Sequence, residues 1–469
     1  MKRIKIYLFA TIAGLLFSTT ACDFGNLNVD PTQLSSVELR AMMPAAQSQM
    51  SYNQGALAGR MPGIIMQHFI GFDAQQVPYT TYNINEADMN NLWVTGMYVG
   101  ALRDCDVIIK QATDEEQPYY VGIAKIMMAH GLNVVTTFWG DIPYTEAFGG
   151  NEQLNPAFDT QSSVYTSTLS MLDEAITELK KPSVPGGPAG DDLIFGGDAE
   201  KWIATAHALK ARIYLQMTKK DAGNAASALL EVGMAFTSND DEPMFTFGSA
   251  KTEANPYAQF GAQRPKTLIV NPAFHDAMEA KADPRVSKYM AYDGSDWRFF
   301  DGPESSLFWS RNASPIPMIS FTELKFIEAE ARLRSADDIG AEAALEAALE
   351  ANMEQVGIAS IDYTPYIAGY GNFTGLTTME EKLEHLIGEK YVALYSQAEP
   401  EIWNDFRRTG YPALTPVPGG DHGLNPGGAI PRRFIYPADE RSTNTEQMDA
   451  AISRLGADDM AHDIWVFQN

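Results

Sequence analysis

The stretch SFTELKFIEAEARLRSADDIGAEAALEAALEANM, residues 320 to 353, decides the fold of this chain. It opens with the pattern of a capping box, in which Ser320 and Glu323 satisfy each other's free backbone N–H groups at a helix start. The apolar positions then recur at helical spacing, first at Leu324, Ile327 and Ala331 and, after a break at 335–340, at Leu345, Leu349 and Met353. Two helices joined by a short turn within about 34 residues predict a tetratricopeptide-like helix pair.

The same periodicity recurs along the chain and predicts further helices. Three sets of residues carry it: Ile123, Met127, Val134 and Phe138; Trp202, Ala206, Leu209, Ile213 and Met217; and Leu383, Ile387, Tyr391 and Leu394. Loop-like stretches lie between and after the predicted helices, at 181–190, 238–266, 291–317 and 413–428. We therefore predict a mainly α fold, in which tetratricopeptide-like helix pairs form a helical scaffold with large loop-rich insertions and few short strands.

The N-terminus has the layout of a secretory signal peptide. A basic start at 1–5 precedes an apolar run at 6–17, which is too short to span a bilayer, and small residues then lead to Cys22. Small residues followed by cysteine resemble a bacterial lipobox, although Thr19 stands where leucine is usual. We predict a signal peptide at 1–21, lipidation of Cys22, a polar tether at 22–36 and a single domain at 37–469. The lipid would anchor the protein to a membrane.

The chain is strongly acidic, with 60 acidic and 34 basic residues and a formal net charge of -26. Nucleic acid as a partner requires clusters of Lys and Arg, so this composition argues against it. A neutral or cationic ligand fits better, and solubility alone also explains the acidity. With Cys22 lipidated, Cys105 has no partner for a disulfide, and we predict a buried thiol without a chemical role.

No catalytic signature occurs in the sequence, which lacks a Gly-x-Ser-x-Gly elbow, a Walker loop and a His-Glu-x-x-His pair. Three acidic residues, Asp293, Asp296 and Asp301, lie close together in one stretch and could bind calcium, although they lack the regular spacing of a calcium loop. We expect no other metal and no cofactor.

Several short strings follow one another along the chain. They are 140–147 (GDIPYTEA), 196–202 (GGDAEKW), 282–285 (ADPR), 326–331 (FIEAEA), 403–412 (WNDFRRTGYP), 430–437 (IPRRFIYP), Asn444 and 463–466 (DIWV). Together they resemble the SusD/RagB family of nutrient-binding outer-membrane lipoproteins of Bacteroidetes, in particular the subgroup with an Arg-Arg-x-Gly-Tyr-Pro string. The resemblance extends over nearly the whole chain, with a departure at 399–401, where the family more often has Gly-Glu-Ala.

The resemblance implies a lipid-anchored protein on the surface of the outer membrane, built on tetratricopeptide-like helix pairs. Such a protein would sit as a lid on a TonB-dependent, SusC-like transporter, capture oligosaccharide and pass it to the channel without catalysis. A peptide-binding member of the same fold is one alternative, and a surface glycoside hydrolase is an alternative from another class. Arg407 and Arg408 are predicted framework residues that tie C-terminal segments to carboxylates by bidentate bonds.

Proteins bind sugars by stacking aromatic rings on their C–H faces and by placing polar groups at their edges. Loop aromatics beside polar residues are therefore the predicted ligand-binding residues, together with two polar neighbours: Trp297, Trp309, Tyr79, Tyr82, Trp93, Tyr257, Arg311 and Asn312. Packing of the loop onto the core is the alternative for each ring. That alternative is the stronger one for Tyr79, Tyr82 and Trp93, and it has equal weight for Trp297 and Trp309.

Overall fold

The predicted helix pair is present in the computed structural model, which describes residues 37–468. The two helices are Phe321–Arg334 and Asp338–Gln355. Ser320 caps the first of them, because its hydroxyl accepts a hydrogen bond from the Glu323 N–H at 3.1 Å. The second half of the predicted capping box is not formed, since the Glu323 carboxylate is bound by Arg212 of another helix, with Nε 2.6 Å from Oε1. A tertiary ion pair has replaced the local bond.

Helices account for most of the described chain, which confirms the predicted fold class. They are α1 (Leu39–Gly55), α2 (Leu57–Ile65), α3 (Val77–Thr80), α4 (Arg103–Asp114), α5 (Pro118–Trp139), α6 (Gln161–Leu179), α7 (Ala199–Gln216), α8 (Asn224–Val232), α9 (Pro256–Gln263), α10 (Pro272–Ala280), α11 (Val286–Tyr289), α12 (Phe321–Arg334), α13 (Asp338–Gln355), α14 (Ser360–Tyr370), α15 (Met379–Ala393), α16 (Glu399–Thr409), α17 (Ala438–Thr443) and α18 (Thr445–Leu455). A π-helix, Leu92–Leu102, runs directly into α4. Short 3₁₀ turns lie at Ala74–Gln76, Gly150–Glu152, Met217–Lys219, Asn239–Asp241, Pro426–Gly428 and Trp465–Phe467.

The strands of the described residues are short and form antiparallel pairs. They are β1 (Phe69–Gly71) with β5 (Leu268–Val270), β2 (Ile142–Pro143) with β3 (Phe158–Asp159), β4 (Met244–Thr246) with β8 (Pro315–Pro317), and β6 (Ala291–Tyr292) with β7 (Trp297–Arg298). Three of these pairs join segments that are distant in sequence or separated by helices or loops, whereas β6 and β7 form a hairpin. The pairs therefore fasten loops to the helical scaffold.

The scaffold is a succession of packed helices. α5 packs on α6, α7 on α8, and α12 on α13, while α6 also contacts α7 and α8 contacts α12. α5 is long and apolar enough by composition to cross a membrane, yet 94% of its most apolar window is buried inside the protein. It is therefore the central core helix of the scaffold. Residues Leu39–Asn469 form one compact unit.

Ion pairs buried in the scaffold hold the C-terminal helices to it. Arg408 forms a bidentate pair with Glu330, with Nη2 2.7 Å from Oε2, and also contacts Asp405 at 2.8 Å. Lys390 reaches the other oxygen of Asp405 at 2.7 Å. These contacts confirm the predicted framework role of Arg408, and they join α12, α15 and α16 around charges that water does not reach.

Arg407 has a different environment, and the prediction that it binds a carboxylate is wrong. Its guanidinium lies 3.8 Å from the centroid of the Trp403 ring and donates to the backbone carbonyls of Thr137 at 2.6 Å and Arg432 at 3.1 Å. Burial, reinforced by the charge of Arg432, lowers the pKa of Arg407 to about 9. Arg407 is a framework residue, but it binds carbonyl oxygens.

The stretch 238–266 is more regular than predicted. It contains β4 and the helix α9, which begins at Pro256 after an Asn255 cap whose side chain accepts from the Tyr257 N–H at 2.8 Å. An Asn-Pro start and eight residues give too short a periodic pattern to be recognised in the sequence. The remainder of the predicted loops is irregular apart from the short strands. Cys105 is a free, buried cysteine as predicted, whereas the signal peptide, Cys22 and the tether lie outside the described residues.

Candidate ligand-binding face

A turn at 264–267, directly after α9, is the point where three separate segments meet. Within it, the Thr267 hydroxyl donates to the Arg264 carbonyl at 2.8 Å, and Lys266 adopts a positive φ of 65°. The Thr267 carbonyl accepts from the Phe72 N–H at 2.9 Å, just past the end of β1. Lys266 extends to the β6–β7 hairpin, where its Nζ lies 3.3 Å from Oδ2 of Asp293. The turn therefore joins the segments around Phe72, α9 and the hairpin.

The hairpin tip is shaped by the Asp293 carboxylate. Its Oδ1 accepts from the Asp296 N–H, the Ser295 N–H and the Ser295 hydroxyl at 2.8 to 2.9 Å, and these bonds lower the pKa of Asp293 below its usual value. No group of three or more His, Cys, Asp or Glu residues is arranged to hold a metal within residues 37–468. Asp293 and Asp296 thus stabilise a turn, and calcium binding that also involves Asp301 stays a prediction.

Two aromatic residues form the outer surface of the hairpin. Tyr292 and Trp297 are paired across the strands, with ring centroids 5.2 Å apart. The Trp297 indole is stacked on the imidazole of His275, at 3.8 Å between centroids and 19° between planes. His275 is itself held by Asp276, with Nδ1 2.9 Å from Oδ1. Trp297 therefore has one covered face and a fixed orientation, and Tyr292 is 57% exposed.

Exposed aromatic side chains are few in the described part of the chain, and two of the three lie on segments that contact this turn. Tyr52 is 42% exposed, Phe72 51% and Tyr292 57%, and no other described aromatic residue belongs to the exposed large hydrophobics. Phe72 and Tyr292 are linked to the turn by the bonds given above. A single exposed ring needs no explanation, but several on adjoining segments indicate a binding surface. We call Tyr52, Phe72, Tyr292, Trp297 and the 264–267 turn the aromatic face.

Arg60 of α2 connects Tyr52 to this face. Its guanidinium lies over the Phe260 ring, 4.2 Å from the centroid. The pKa of Arg60 is lowered to about 10, chiefly by burial; Tyr257 and Tyr52 act against this lowering, and the charge of Arg264 adds to it. The Arg264 N–H donates to the Phe260 carbonyl at 2.9 Å, so Arg60, which packs on the Phe260 ring, lies near Arg264, and Tyr52 is close enough to affect the pKa of Arg60.

A cleft of about 540 Å³ adjoins the face at Tyr52. It lies between α1 and residues 245–259, with Phe245 and Phe247 in its wall and the side chains of Gln49 and Gln259 beside them. Its volume is within the range of about 300 to 1,000 Å³ that is usual for small-molecule sites. Rings together with amides are the combination that a sugar requires.

A larger groove of about 800 Å³ lies between α4, α5 and α6. Its aromatic residues are half-buried, and both of its lysines are already paired: Lys110 with Asp106 at 2.8 Å, and Lys125 with Glu174 at 2.8 Å. It has no exposed ring among the described residues. The aromatic face is therefore the better candidate.

Four of the predicted ligand-binding rings are part of the core, which contradicts their assignment. Tyr82, Tyr257, Trp309 and Trp93 are 0%, 1%, 2% and 3% exposed. Trp93 packs edge-on against Trp139 at 4.9 Å, in the main core. Such packing stabilises a buried ring even when the ring belongs to a loop, and the buried ring has no free face for a ligand.

The other predicted residues divide between framework and face. Tyr79 is half-buried and donates its hydroxyl to Asp88 at 2.6 Å. The Arg311 guanidinium lies over the Phe308 ring, and the Asn312 amide donates to the Ser249 carbonyl at 2.9 Å. These three residues hold loops in place. Of the predicted residues, only Trp297 lies on the aromatic face.

Sequence reasoning missed Phe72, Tyr292, Tyr52 and Arg60. One signal could have found Tyr292: it directly precedes an Asp-Gly dipeptide at 293–294, which is a strong hairpin signal and exposes the flanking residues. Tyr52 and Arg60 belong to helices, and nothing in their immediate sequence separates them from core positions.

Comparison with known proteins agrees with this architecture. The sequence model of a SusD-like family, described as starch-binding and associating with the outer membrane, matches residues 31–437. No functionally curated protein matches the chain. Among solved structures, a SusD/RagB family protein from Bacteroides thetaiotaomicron is 21% identical with a TM-score of 0.76, over 92% of this chain and 100% of that one. A chitin-binding SusD homolog from Flavobacterium johnsoniae is 21% identical with a TM-score of 0.74, over 91% and 99%. At these identities the likeness concerns the fold alone.

Proposed function

The chain belongs to this SusD-like family, and from that membership we propose that it is a nutrient-binding lipoprotein that captures oligosaccharide on the aromatic face. It hands the oligosaccharide to a TonB-dependent, SusC-like transporter of the outer membrane and does not catalyse a reaction on it. Lipid on Cys22 holds the protein at the cell surface, and the tether at 22–36 gives it reach.

The observation that carries the proposal is the aromatic face itself. A pyranose offers flat C–H faces, and Phe72 and Tyr292 offer exposed rings beside polar groups of the 264–267 turn. Trp297 adds a ring whose orientation is fixed by His275, so little side-chain freedom is lost when a ligand stacks on it. One structural relative is named as a chitin-binding protein, which supports a ligand derived from a polysaccharide.

The proposal can be tested by isothermal titration calorimetry of the full chain in detergent. The ligands are starch-derived, chitin-derived and other oligosaccharides, together with mixed peptides. We expect heat of binding with an oligosaccharide and no change in the oligosaccharide after prolonged incubation. Phe72→Ala and Tyr292→Ala should each weaken binding about tenfold, since stacking of a sugar on one aromatic ring contributes on the order of 1 kcal/mol or more to the free energy of binding.

Leu230→Ala is the matched control, because Leu230 is 72% exposed on the scaffold helix α8 and lies outside the face. Equal affinity in all three variants would remove the face from binding, and release of shorter sugars would contradict a binding protein. Co-purification of the wild-type chain with its transporter, compared with a Cys22→Ala chain in the soluble fraction, tests the anchoring and the partner.

A further inference from the structure

The aromatic face contains cations without acidic partners. The guanidinium groups of Arg60 and Arg264 form no ion pair and no hydrogen bond with any residue between 37 and 468, although the chain has 60 acidic residues against 34 basic ones. On the scaffold, by contrast, the buried arginines Arg212 and Arg408 are paired with carboxylates, and Arg407 donates hydrogen bonds to backbone carbonyls. From this difference we infer that the ligand carries an acidic group, a carboxylate or a sulfate ester, which Arg60 and Arg264 bind at the edge of the face.

The placement of Arg60 is unfavourable without an anion. Packing on Phe260 and the fold around it remove much of its solvation, and a second guanidinium stands nearby, so both effects lower its pKa to about 10. The groups that act against this lowering are the phenols of Tyr257 and Tyr52. A buried or half-buried charge is normally paired, and an anion between Arg60 and Arg264 would supply the missing partner.

A third guanidinium near the hairpin also lacks an acidic partner. Arg298 of β7 follows Trp297 directly and is only 7% exposed. Its Nη1 is fully buried without a hydrogen-bond partner, and no described residue forms an ion pair with it. Because successive side chains of a strand point to opposite faces, Arg298 lies on the other side of β7 from Trp297 and is not part of the aromatic face, so the anion is assigned to Arg60 and Arg264 alone.

The charge of this region differs from that of the whole chain. Residues 248–317 contain eight acidic and eight basic residues, whereas the chain has a net charge of -26. The acidity that favoured a neutral or cationic ligand therefore belongs to the rest of the protein. The carboxylates near the face all have partners or lie in the cleft. They are Asp293, bound by Lys266 and the hairpin tip, Asp296, bound by Ser295, Asp276, on His275, Asp73, bound by the Ala74 N–H, and Glu253, in the wall of the adjoining cleft. The acidic group is accordingly assigned to the Arg60 end.

The chemistry fits an acidic sugar. A uronic acid keeps flat C–H faces for stacking and carries its carboxylate at the ring edge, where a planar guanidinium can bind it with two parallel bonds. A sulfate ester projects from the edge in the same way. This inference rests on the proposed function, because it names the class of oligosaccharide that the same face would take.

The test compares probes that differ only in charge. We would titrate the full chain in detergent with oligogalacturonate, with its methyl ester, which has the same ring and linkage without the charge, and with a sulfated galactan oligosaccharide. We expect one or both acidic probes to bind about tenfold or more tightly than the ester, as expected for a charge-assisted bidentate bond, and this preference should fall as salt is raised. The two acidic probes distinguish carboxylate from sulfate.

Variants locate the anion. Arg60→Gln combined with Arg264→Gln should bring the affinities for the acidic probe and the ester to the same value, and Arg264→Gln alone, at an exposed position, should reduce the ratio in a protein whose fold is not disturbed. Arg103→Gln, a partly exposed arginine of α4 already paired with Asp106 at 2.9 Å, is the control and should keep the preference.

The outcomes separate the two proposals. If the ester binds as tightly as the acid, or if the double variant keeps the preference, the inference is overturned while glycan capture stands. If no oligosaccharide of any charge binds to the folded protein, the proposed function fails, and the inference fails with it.

Discussion

Replacement of Arg408 by methionine tests whether buried ion pairs hold the C-terminal helices to the scaffold. Arg408 and Glu330 are 6% and 0% exposed, and the pair is bidentate. Burial alone would raise the pKa of Glu330, but Arg408, followed by Arg334, outweighs it and holds the pKa at about 2 instead of 4.5. Each pKa unit corresponds to about 1.4 kcal/mol, so the folded surroundings as a whole, with the cations outweighing burial, stabilise the ionised carboxylate by about 3 kcal/mol at neutral pH.

We therefore expect Arg408→Met to lower the free energy of unfolding by about 3 kcal/mol at pH 7, at the lower end of what breaking a buried pair costs. Glu330 has a depressed pKa in the folded state, so its contribution is complete above about pH 4.5 and is lost as the pH falls toward 2. The difference between variant and wild type should shrink over that range.

Urea unfolding followed by circular dichroism at several pH values measures this difference. Arg334→Met is the control: Arg334 also contacts Glu330, at 2.7 Å, but it is 23% exposed, and its loss should cost less than about 1 kcal/mol. A loss below about 1 kcal/mol for Arg408→Met at pH 7, or a loss that does not change with pH, would refute the reasoning.

Three further predictions concern the rings and the cysteines. Trp297→Ala should weaken oligosaccharide binding about tenfold in calorimetry, with little change in the urea midpoint of unfolding. Trp309→Ala, at a 2% exposed position, should instead lower the free energy of unfolding by about 3 to 5 kcal/mol. The opposite pattern would exchange the roles of the two residues. Burial raises the pKa of the Cys105 thiol, so in a Cys22→Ser chain a thiol reagent at pH 8 should react only as the protein unfolds, and rapid labelling of the folded chain would contradict the buried position. Cys22→Ser should also abolish incorporation of labelled palmitate in the native host, and retained label would place the lipid elsewhere.

The helices that could be predicted from the sequence are those with regular apolar spacing. α12, α13 and α5 have such spacing, and the sequence predicted each of them close to its observed bounds. α1 was not found, because several of its buried positions are polar: Gln47, for example, is 1% exposed and donates to Asp192 at 2.7 Å. A buried amide satisfied by a distant carboxylate breaks the apolar pattern without breaking the helix, and its partner 145 residues away cannot be inferred from local sequence.

The ligand-binding residues were harder to predict for a related reason. An aromatic residue beside polar neighbours in a loop fits both a sugar platform and a lid over the core, and only tertiary contacts decide between them. Trp309 and Trp297 have similar sequence surroundings, yet one is enclosed and the other lies on His275 at the surface. The unpaired state of Arg60 and Arg298 is equally invisible in the sequence, since it depends on where the acidic residues are in three dimensions.

The apolar character of α5 has a consequence for the translocation of an exported chain across the inner membrane. With export as proposed, this segment would pass unfolded through the protein-conducting channel of the inner membrane, which releases sufficiently apolar segments sideways into lipid. Lys125, near the middle of α5, would add about 2.5 to 3.5 kcal/mol to the cost of such an exit, and His130 and Asn133 add polar groups one to two turns further on. In the folded protein Lys125 is paired with Glu174 and Asn133 with Gln216, at 2.8 and 2.9 Å. The side chains that bind the core helix to its neighbours would thus also oppose its insertion into the inner membrane during export.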